Sequence, residues 1–258
     1  MKKLLTGVLL FVGLALGAEP KGKEFGWIES GQIMPQVPIG DNRWSMEFVV
    51  ISLEETAQVF TVTFYDSDGE PMQVPLEGRG ETAVWADSVP PHGARSVRTG
   101  NTGSLRQGYA RLESDELSGF AFYGVLTSAE PAGTRPPFRT FVPGMSRLED
   151  QQRLFFNNTG GNTTCVAIVS QAFTSLNESL IVVARDENGS EFQRMALPDF
   201  DRDQHRAFCL PDALPFTANR RGVLDIFGGF HAAIGFTFDS QGKFYTEAPY
   251  MTCCFDLQ

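Results

Sequence analysis

The sequence predicts an all-β protein in which a signal peptide is followed by two tandem antiparallel β-sandwich domains related by an internal repeat. Three observations lead to this fold class. Apolar residues alternate with polar ones over many short segments, turn-forming tetrapeptides separate these segments, and helical periodicity is almost absent. In addition, several segments recur in the same order in the two halves of the chain, which is the signature of a repeated structural unit.

The N-terminus has the three parts of a secretory signal peptide. A basic start at Lys2 and Lys3 precedes an apolar run over residues 4–16, which ends in the small residues Gly17 and Ala18. The run is shorter than the roughly 20 residues that a membrane-spanning helix needs. We therefore expect a Sec-type signal peptide over 1–18, a linker over 19–24, and a bacterial protein that is secreted or periplasmic and not embedded in a membrane.

The charge of the chain argues against two classes of partner. The formal net charge is −10 at pH 7, and loss of Lys2 and Lys3 with the signal peptide would make it −12. An acidic surface repels the phosphates of nucleic acids and of anionic lipid headgroups. We therefore expect no nucleic-acid partner, and the expected partner is an unidentified extracellular protein or glycan.

The strands are predicted from period-two patterns next to tight turns. We expect the following side chains to face inward on two equivalent strands: Phe60, Val62 and Phe64, and Leu180, Val182 and Ala184. The tetrapeptides DSDG (66–69), DENG (186–189) and DSQG (239–242) each lie between two such runs. Asp in first place can cap a turn and Gly in last place accepts a positive φ, so each is predicted to form a hairpin turn.

The internal repeat sets the expected domain boundaries. Five pairs of segments recur in order: 48–52 with 166–170, 58–65 with 179–185, 106–112 with 220–226, 118–122 with 234–238, and 138–143 with 244–249. We expect β-sandwich domain 1 over 25–143, a linker over 144–152 and β-sandwich domain 2 over 153–258. Only PDALP at 211–215 suggests a helical turn. The first half has insertions at 31–42 and 77–88, and such loops commonly carry specificity.

With a DxDG turn between its first strands and an Arg-Gly strand later in each half, the chain resembles secreted bacterial proteins built from tandem β-sandwich units. The resemblance covers most of the chain after the signal peptide. It implies the sandwich fold, and it implies no catalytic residue.

Motifs for catalysis or cofactor binding are missing from the sequence. His92, His205 and His231 have no metal-ligand spacing and are expected to be surface or loop histidines. There is no serine nucleophile elbow, phosphate-binding glycine loop or dinucleotide fingerprint. We therefore predict no catalytic residues and no cofactor.

One acidic cluster is a weak candidate for a metal site. Asp199, Asp201 and Asp203 alternate, as carboxylates around Ca²⁺ can do. However, Gln204 and Leu210 stand where an EF-hand loop needs glycine and glutamate. The simpler interpretation is an exposed hairpin without a bound ion.

Two tryptophans are candidates for stacking on a ligand. Trp44 precedes a strand and Trp85 lies in an insertion of the first half, so either side chain could be exposed. Exposed flat aromatic faces can stack on sugar rings. The alternative is that both side chains pack under the inserted loops.

All four cysteines lie in the second half, and export would expose them to an oxidising compartment. A Cys253–Cys254 bond would strain the peptide between them, and neighbours on a strand point to opposite faces. We therefore expect each of these two cysteines to bond separately to Cys165 or Cys209, with the pairing open. The sulfurs of Cys165 and Cys209 are expected to project away from the core.

Together these features predict a non-enzymatic secreted binding or scaffold protein whose contact surface is formed by loops at the sandwich ends or by the groove between the domains. The alternatives are a secreted hydrolase that acts on polysaccharide, with its carboxylates in loops, and a carbohydrate-binding module. A cleft lined by two facing carboxylates would favour the hydrolase, and a flat exposed aromatic strip would favour the carbohydrate-binding module.

Overall fold

The protein is nearly all β, as the sequence predicts: strands account for 64% and helices for 4% of the structure. The structure, a computed structural model, describes residues 31–114, 119–129, 138–145, 148–170, 180–197, 203–240, 243–247 and 250–251. The expected signal peptide (1–18) and first linker (19–24) lie outside these residues. We refer to residues 31–145 as the first half and to residues 148–251 as the second half.

In the described part of the first half, ten strands form two four-stranded sheets and a short hairpin. The strands are β1 (Gly31–Met34), β2 (Trp44–Ser52), β3 (Gln58–Asp66), β4 (Val74–Leu76), β5 (Gly80–Thr82), β6 (Val84–Val89), β7 (Ala94–Arg98), β8 (Gly108–Glu113), β9 (Phe120–Ser128) and β10 (Phe138–Pro143). One sheet has the order β1-β8-β3-β6 and the other β10-β9-β2-β7, all antiparallel. The sheets pack face to face, since the ring centroids of Phe48 on β2 and Phe64 on β3 are 4.9 Å apart.

Where the structure describes the second half, eight strands form one continuous antiparallel sheet. They are β11 (Glu149–Asn157), β12 (Thr163–Ser170), β13 (Ile181–Arg185), β14 (Glu191–Ala196), β15 (His205–Cys209), β16 (Arg221–Phe238), β17 (Phe244–Glu247) and β18 (Tyr250–Met251). The first part of β16 pairs with β11 and β13, and its last part pairs with β12 and β17. Gly228 and Gly229 separate the two parts and have positive φ, which glycine accepts without strain. The sheet can therefore fold over on itself.

The inward-facing residues predicted from the alternation are confirmed. Phe60, Val62 and Phe64 are at most 1% exposed in one core, and Leu180, Val182 and Ala184 are equally buried in another. Burying such side chains stabilises the fold by roughly 1.5–3 kcal/mol for each large one. The period-two pattern therefore identified the strand faces correctly.

Two of the predicted turns have the expected geometry. Asp66 Oδ1 accepts hydrogen bonds from the backbone N–H groups of residues 68 and 70, at 2.9 and 3.0 Å. Asp186 Oδ1 accepts the equivalent two bonds, both at 2.9 Å. Gly69 and Gly189 have φ of 86° and 83°, which explains the preference for glycine at the last turn position. In the third tetrapeptide Asp239 Oδ1 accepts from the N–H of Lys243 at 2.9 Å.

Among the described residues, helical structure is confined to one short segment, where the PDALP sequence predicts it. Helix α1 (Leu210–Ala213) has proline in its first turn, and a 3₁₀ turn follows at Pro215–Thr217. In the part of the chain that the structure describes, no helix has the length and apolar character needed to cross a membrane.

The packing between the halves differs from that of two separate domains. The larger hydrophobic core contains most of the apolar residues of the first half and also Ala167, Val169, Ala232, Ile234 and Phe236 of the second. The second core is confined to the second half. In addition, β11 begins at Glu149, inside the segment 144–152 that was expected to be a linker. The part of the second-half sheet formed by β12 and the end of β16 is thus buried on both faces, and the halves share apolar contacts.

Candidate functional site

A cavity of about 470 Å³ lies between the two halves; we call it the inter-half groove. The first half contributes Gln36 and Pro38 from the β1–β2 connection, Arg43 and Trp44 at the start of β2, and Leu105 before β8. Gln36 and Pro38 belong to the insertion 31–42 that the sequence suggested as a source of specificity. The second half contributes side chains of β12, β15 and β16.

The floor of the inter-half groove is the face of the second-half sheet that β12 and β15 turn toward the first half. On β12, Val166 and Ile168 point into the second core, so Cys165 and Ala167 point the other way, toward the first half. Ala207 on β15 lines the groove from the same side and is exposed. Small side chains on β12 and β15 leave space that the first half does not fill. The groove is therefore a consequence of how the two halves meet.

The disulfide of the structure lies in this floor and corrects the predicted pairing. Cys165 and Cys209 are bonded to each other, whereas each was expected to bond to Cys253 or Cys254. The physical reason is the strand register: β12 and β15 are adjacent and antiparallel, and Cys165 lies directly opposite Cys209. Both sulfurs project away from the second core, as expected, but to the same side, so they reach each other. Cys253 and Cys254 lie outside the described residues.

Trp44 lines the inter-half groove, but one face of its indole ring is covered by a neighbouring side chain. The Arg43 guanidinium lies over its ring, with Cζ 4.6 Å from the centroid. The Trp44 and Phe244 rings meet edge to face at 5.6 Å. Trp44 is therefore a half-buried wall residue, placed where it can contact a ligand with the part of its ring that remains accessible.

Trp85, the other predicted stacking residue, does not belong to a ligand site. Its side chain is 1% exposed and packs edge to face on Phe60, with ring centroids 4.9 Å apart. Its position on β6 points the indole into the first-half core, and Nε1 donates to the Asp87 carboxylate at 3.4 Å. The prediction that Trp85 could stack on a ligand is thus wrong, and the alternative of packing applies.

Two of the three weak candidates for metal ligands lie outside the residues that the structure describes. Asp199 and Asp201 are not among the described residues, and Asp203 is described at the start of the segment 203–240 with φ of 61°. Among the residues that are described, no group of three or more His, Cys, Asp or Glu side chains could hold a metal ion. The exposed hairpin expected for residues 199–203 remains a prediction.

His205 of the second half forms hydrogen bonds with two residues of the first half, one of which is the groove residue Gln36. Its Nε2 lies 2.7 Å from Gln36 Oε1 and its Nδ1 lies 3.2 Å from Ser67 Oγ. Both bonds are satisfied when Nε2 carries the proton and donates to Gln36, while Ser67 donates to Nδ1. Burial lowers the pKa of His205 to about 4, so the ring is neutral at neutral pH. The expectation of surface histidines is confirmed for exposed His92 and is wrong for His205 and His231, which are at most 1% exposed.

Asp225, the most buried carboxylate among the described residues of the second half, is held in a structural role. Asp225 accepts hydrogen bonds from Arg153, whose Nη2 is 3.1 Å from Oδ2, and from Arg185, whose Nε is 2.8 Å from Oδ2. Burial alone would raise the pKa of Asp225, but the two guanidinium groups outweigh burial and hold the pKa below its ordinary 3.8. A general acid must keep its proton near neutral pH. Asp225 is therefore unsuited to that role.

Comparison with protein-family models, curated proteins and solved structures finds no match for the chain. Sequence reasoning identified Trp44 and the two bonded cysteines but missed Arg43 and Ala207. The adjacency of Arg43 to Trp44 at the end of an insertion was a usable signal, whereas nothing in the sequence marks Ala207 as part of a cavity.

Proposed function

We propose that this chain is an exported, non-enzymatic binding protein that takes up an apolar ligand in the inter-half groove. The observation that carries the proposal is the groove itself, a cavity of about 470 Å³ with aromatic and aliphatic walls from both halves. Ligand sites are typically concave, largely apolar and about 300–1,000 Å³ in volume, with a few polar groups that set orientation. Gln36, Arg43 and Gln107 supply those polar groups here.

Export and duplication are part of the proposal. The basic and apolar N-terminal sequence and the Cys165–Cys209 bond both support export, because disulfides persist mainly in oxidising compartments. Duplication is supported by strand order. The series β6-β3-β8-β1 and β7-β2-β9-β10 of the first half correspond in sequence order to β14-β13-β16-β11 and β15-β12-β16-β17 of the second. In this view two sandwich units packed together and the groove arose where they meet.

The hydrolase alternative has less support from the groove. Among the described residues that line it there is no carboxylate, whereas glycoside hydrolysis generally needs two facing acidic groups. The hydrolase would therefore need a different cleft.

The carbohydrate-binding alternative has one observation in its favour. Phe141 is 62% exposed, and its ring lies 5.8 Å from that of Tyr123 on the neighbouring strand. However, the two ring planes are inclined by 60°, so the pair does not form the flat platform on which a sugar ring stacks. The inter-half groove therefore remains the better-supported site.

The proposal is tested by filling the groove. Ala207→Trp places an indole in the cavity from edge strand β15, and we expect it to weaken binding of the neutral fluorescent probe N-phenyl-1-naphthylamine by at least about tenfold. The measurement is a fluorescence titration of the probe with the mature protein.

Ala94→Trp is the matched control. Ala94 is also exposed and also lies on an edge strand, β7, but it does not line the groove. Its variant should bind the probe like the wild type. A wild-type protein that does not bind the probe, or an Ala207→Trp variant that is folded and binds it unchanged, would overturn the proposed function.

A further inference from the structure

We infer that the ligand of the inter-half groove is an amphiphile with an apolar chain and one carboxylate, and that Arg43 is the residue that selects the carboxylate. The inference rests on the proposed function and goes further, because it gives the ligand a chemical class. It is based on the charge, the contacts and the position of Arg43.

Arg43 is the one charged residue among the described residues that line the groove. It belongs to a chain with a formal net charge of −10, in which many described arginines pair with carboxylates. Within the described part of the chain, Arg43 forms no such ion pair. Its guanidinium therefore brings to the wall of an apolar cavity a positive charge that no described carboxylate pairs with.

The Arg43 side chain is held in place by groups that leave its outer edge available. Nε donates to Ser128 Oγ at 3.0 Å, and the guanidinium plane rests over Trp44. Nη1 and Nη2 make no hydrogen bond with any other residue that the structure describes. A planar guanidinium whose two adjacent Nη groups bind no described residue matches the geometry of a carboxylate, which it can bind through two parallel hydrogen bonds.

The remainder of the groove suits an apolar chain and not a second charge. Beyond Arg43 the lining includes Leu105, Leu126, Phe236 and the Cys165–Cys209 bond, all without charge. A polyanion would leave charges unpaired in this space, and burying an unpaired charge is strongly unfavourable. A ligand with one anionic end and an apolar body meets both requirements.

The test compares two probes of equal chain length, decanoate and 1-decanol, by displacement of N-phenyl-1-naphthylamine at pH 7. We define selectivity as the Kd of decanol divided by the Kd of decanoate. Arg43→Gln should lower this selectivity by about tenfold, since a hydrogen-bonded charge pair contributes roughly that factor. The loss should come mainly from weaker binding of decanoate.

Arg95→Gln is the matched control, because Arg95 is an exposed arginine of the same half, forms no ion pair with a described residue and does not line the groove. It removes the same charge and should leave the selectivity as in the wild type. As a measurement that does not depend on any variant, raising the salt concentration should weaken wild-type binding of decanoate and not of decanol.

The outcomes separate the inference from the proposed function. If the wild type does not bind the fluorescent probe, the proposed function fails. If it binds the probe and decanol, but selectivity is the same in the wild type and Arg43→Gln, or falls equally in Arg95→Gln, the groove is a ligand site and the carboxylate inference is wrong. A tenfold loss confined to Arg43→Gln supports the inference.

Discussion

Replacement of Cys165 and Cys209 together by alanine is expected to lower the free energy of unfolding by about 4 kcal/mol. The bond joins residues separated by 44 positions, and a loop of that length removes this much chain entropy from the unfolded state in the loop-closure treatment of disulfides. Both cysteines are only half-buried, so loss of packing should add little. Urea unfolding of the oxidised wild type and the double variant measures the difference.

The control for the disulfide prediction is Cys253→Ala/Cys254→Ala. If Cys165 is bonded to Cys209, this variant should unfold at nearly the same urea concentration as the wild type. Peptide mapping under non-reducing conditions gives the pairing directly. A peptide that links Cys165 to Cys253 or Cys254 would contradict the structure and restore the pairing expected from the sequence.

Acidification should weaken the contact between the halves through His205. The pKa of His205 is about 4 in the folded chain and has an ordinary value of 6.5, so the unfolded state takes up a proton first as the pH falls. Stability from this group is therefore constant above about pH 6.5, decreases as the pH falls from 6.5 to 4, and levels off below. Linkage gives a loss of about 2–3 kcal/mol between pH 8 and pH 4.5.

The measurement is urea unfolding of the wild type and of His205→Gln at both pH values. Other groups also titrate in this range, so the informative quantity is the difference in pH dependence between the two proteins. His92→Asn is the control, because His92 is exposed and has a positive φ of 48° that asparagine tolerates. A His205→Gln variant with the full pH dependence of the wild type would show that His205 is not buried neutral.

Local features of the site could be predicted in part. The insertion 31–42 and Trp44 are visible in the sequence, and both contribute to the inter-half groove. Trp85 also lies in an insertion of the first half, but its side chain is buried. A tryptophan in a strand can point to either side of the sheet. The direction depends on register, and a shift of one residue reverses it.

The sequence by itself determined the all-β class, the inward faces of the strands and the turns that connect them. These features depend only on residues that are close in sequence. The alternation of Phe60, Val62 and Phe64 selects one face of a strand. Asp66 accepts the hydrogen bond of its own turn, and Gly69 adopts the positive φ that the same turn requires. Only the tertiary structure decided what the opposite strand faces contact. Cys165 forms a disulfide with Cys209, His205 forms a hydrogen bond with Gln36, and Arg43 lines the inter-half groove. These contacts depend on strand order and on how the halves pack, and no local sequence pattern encodes either.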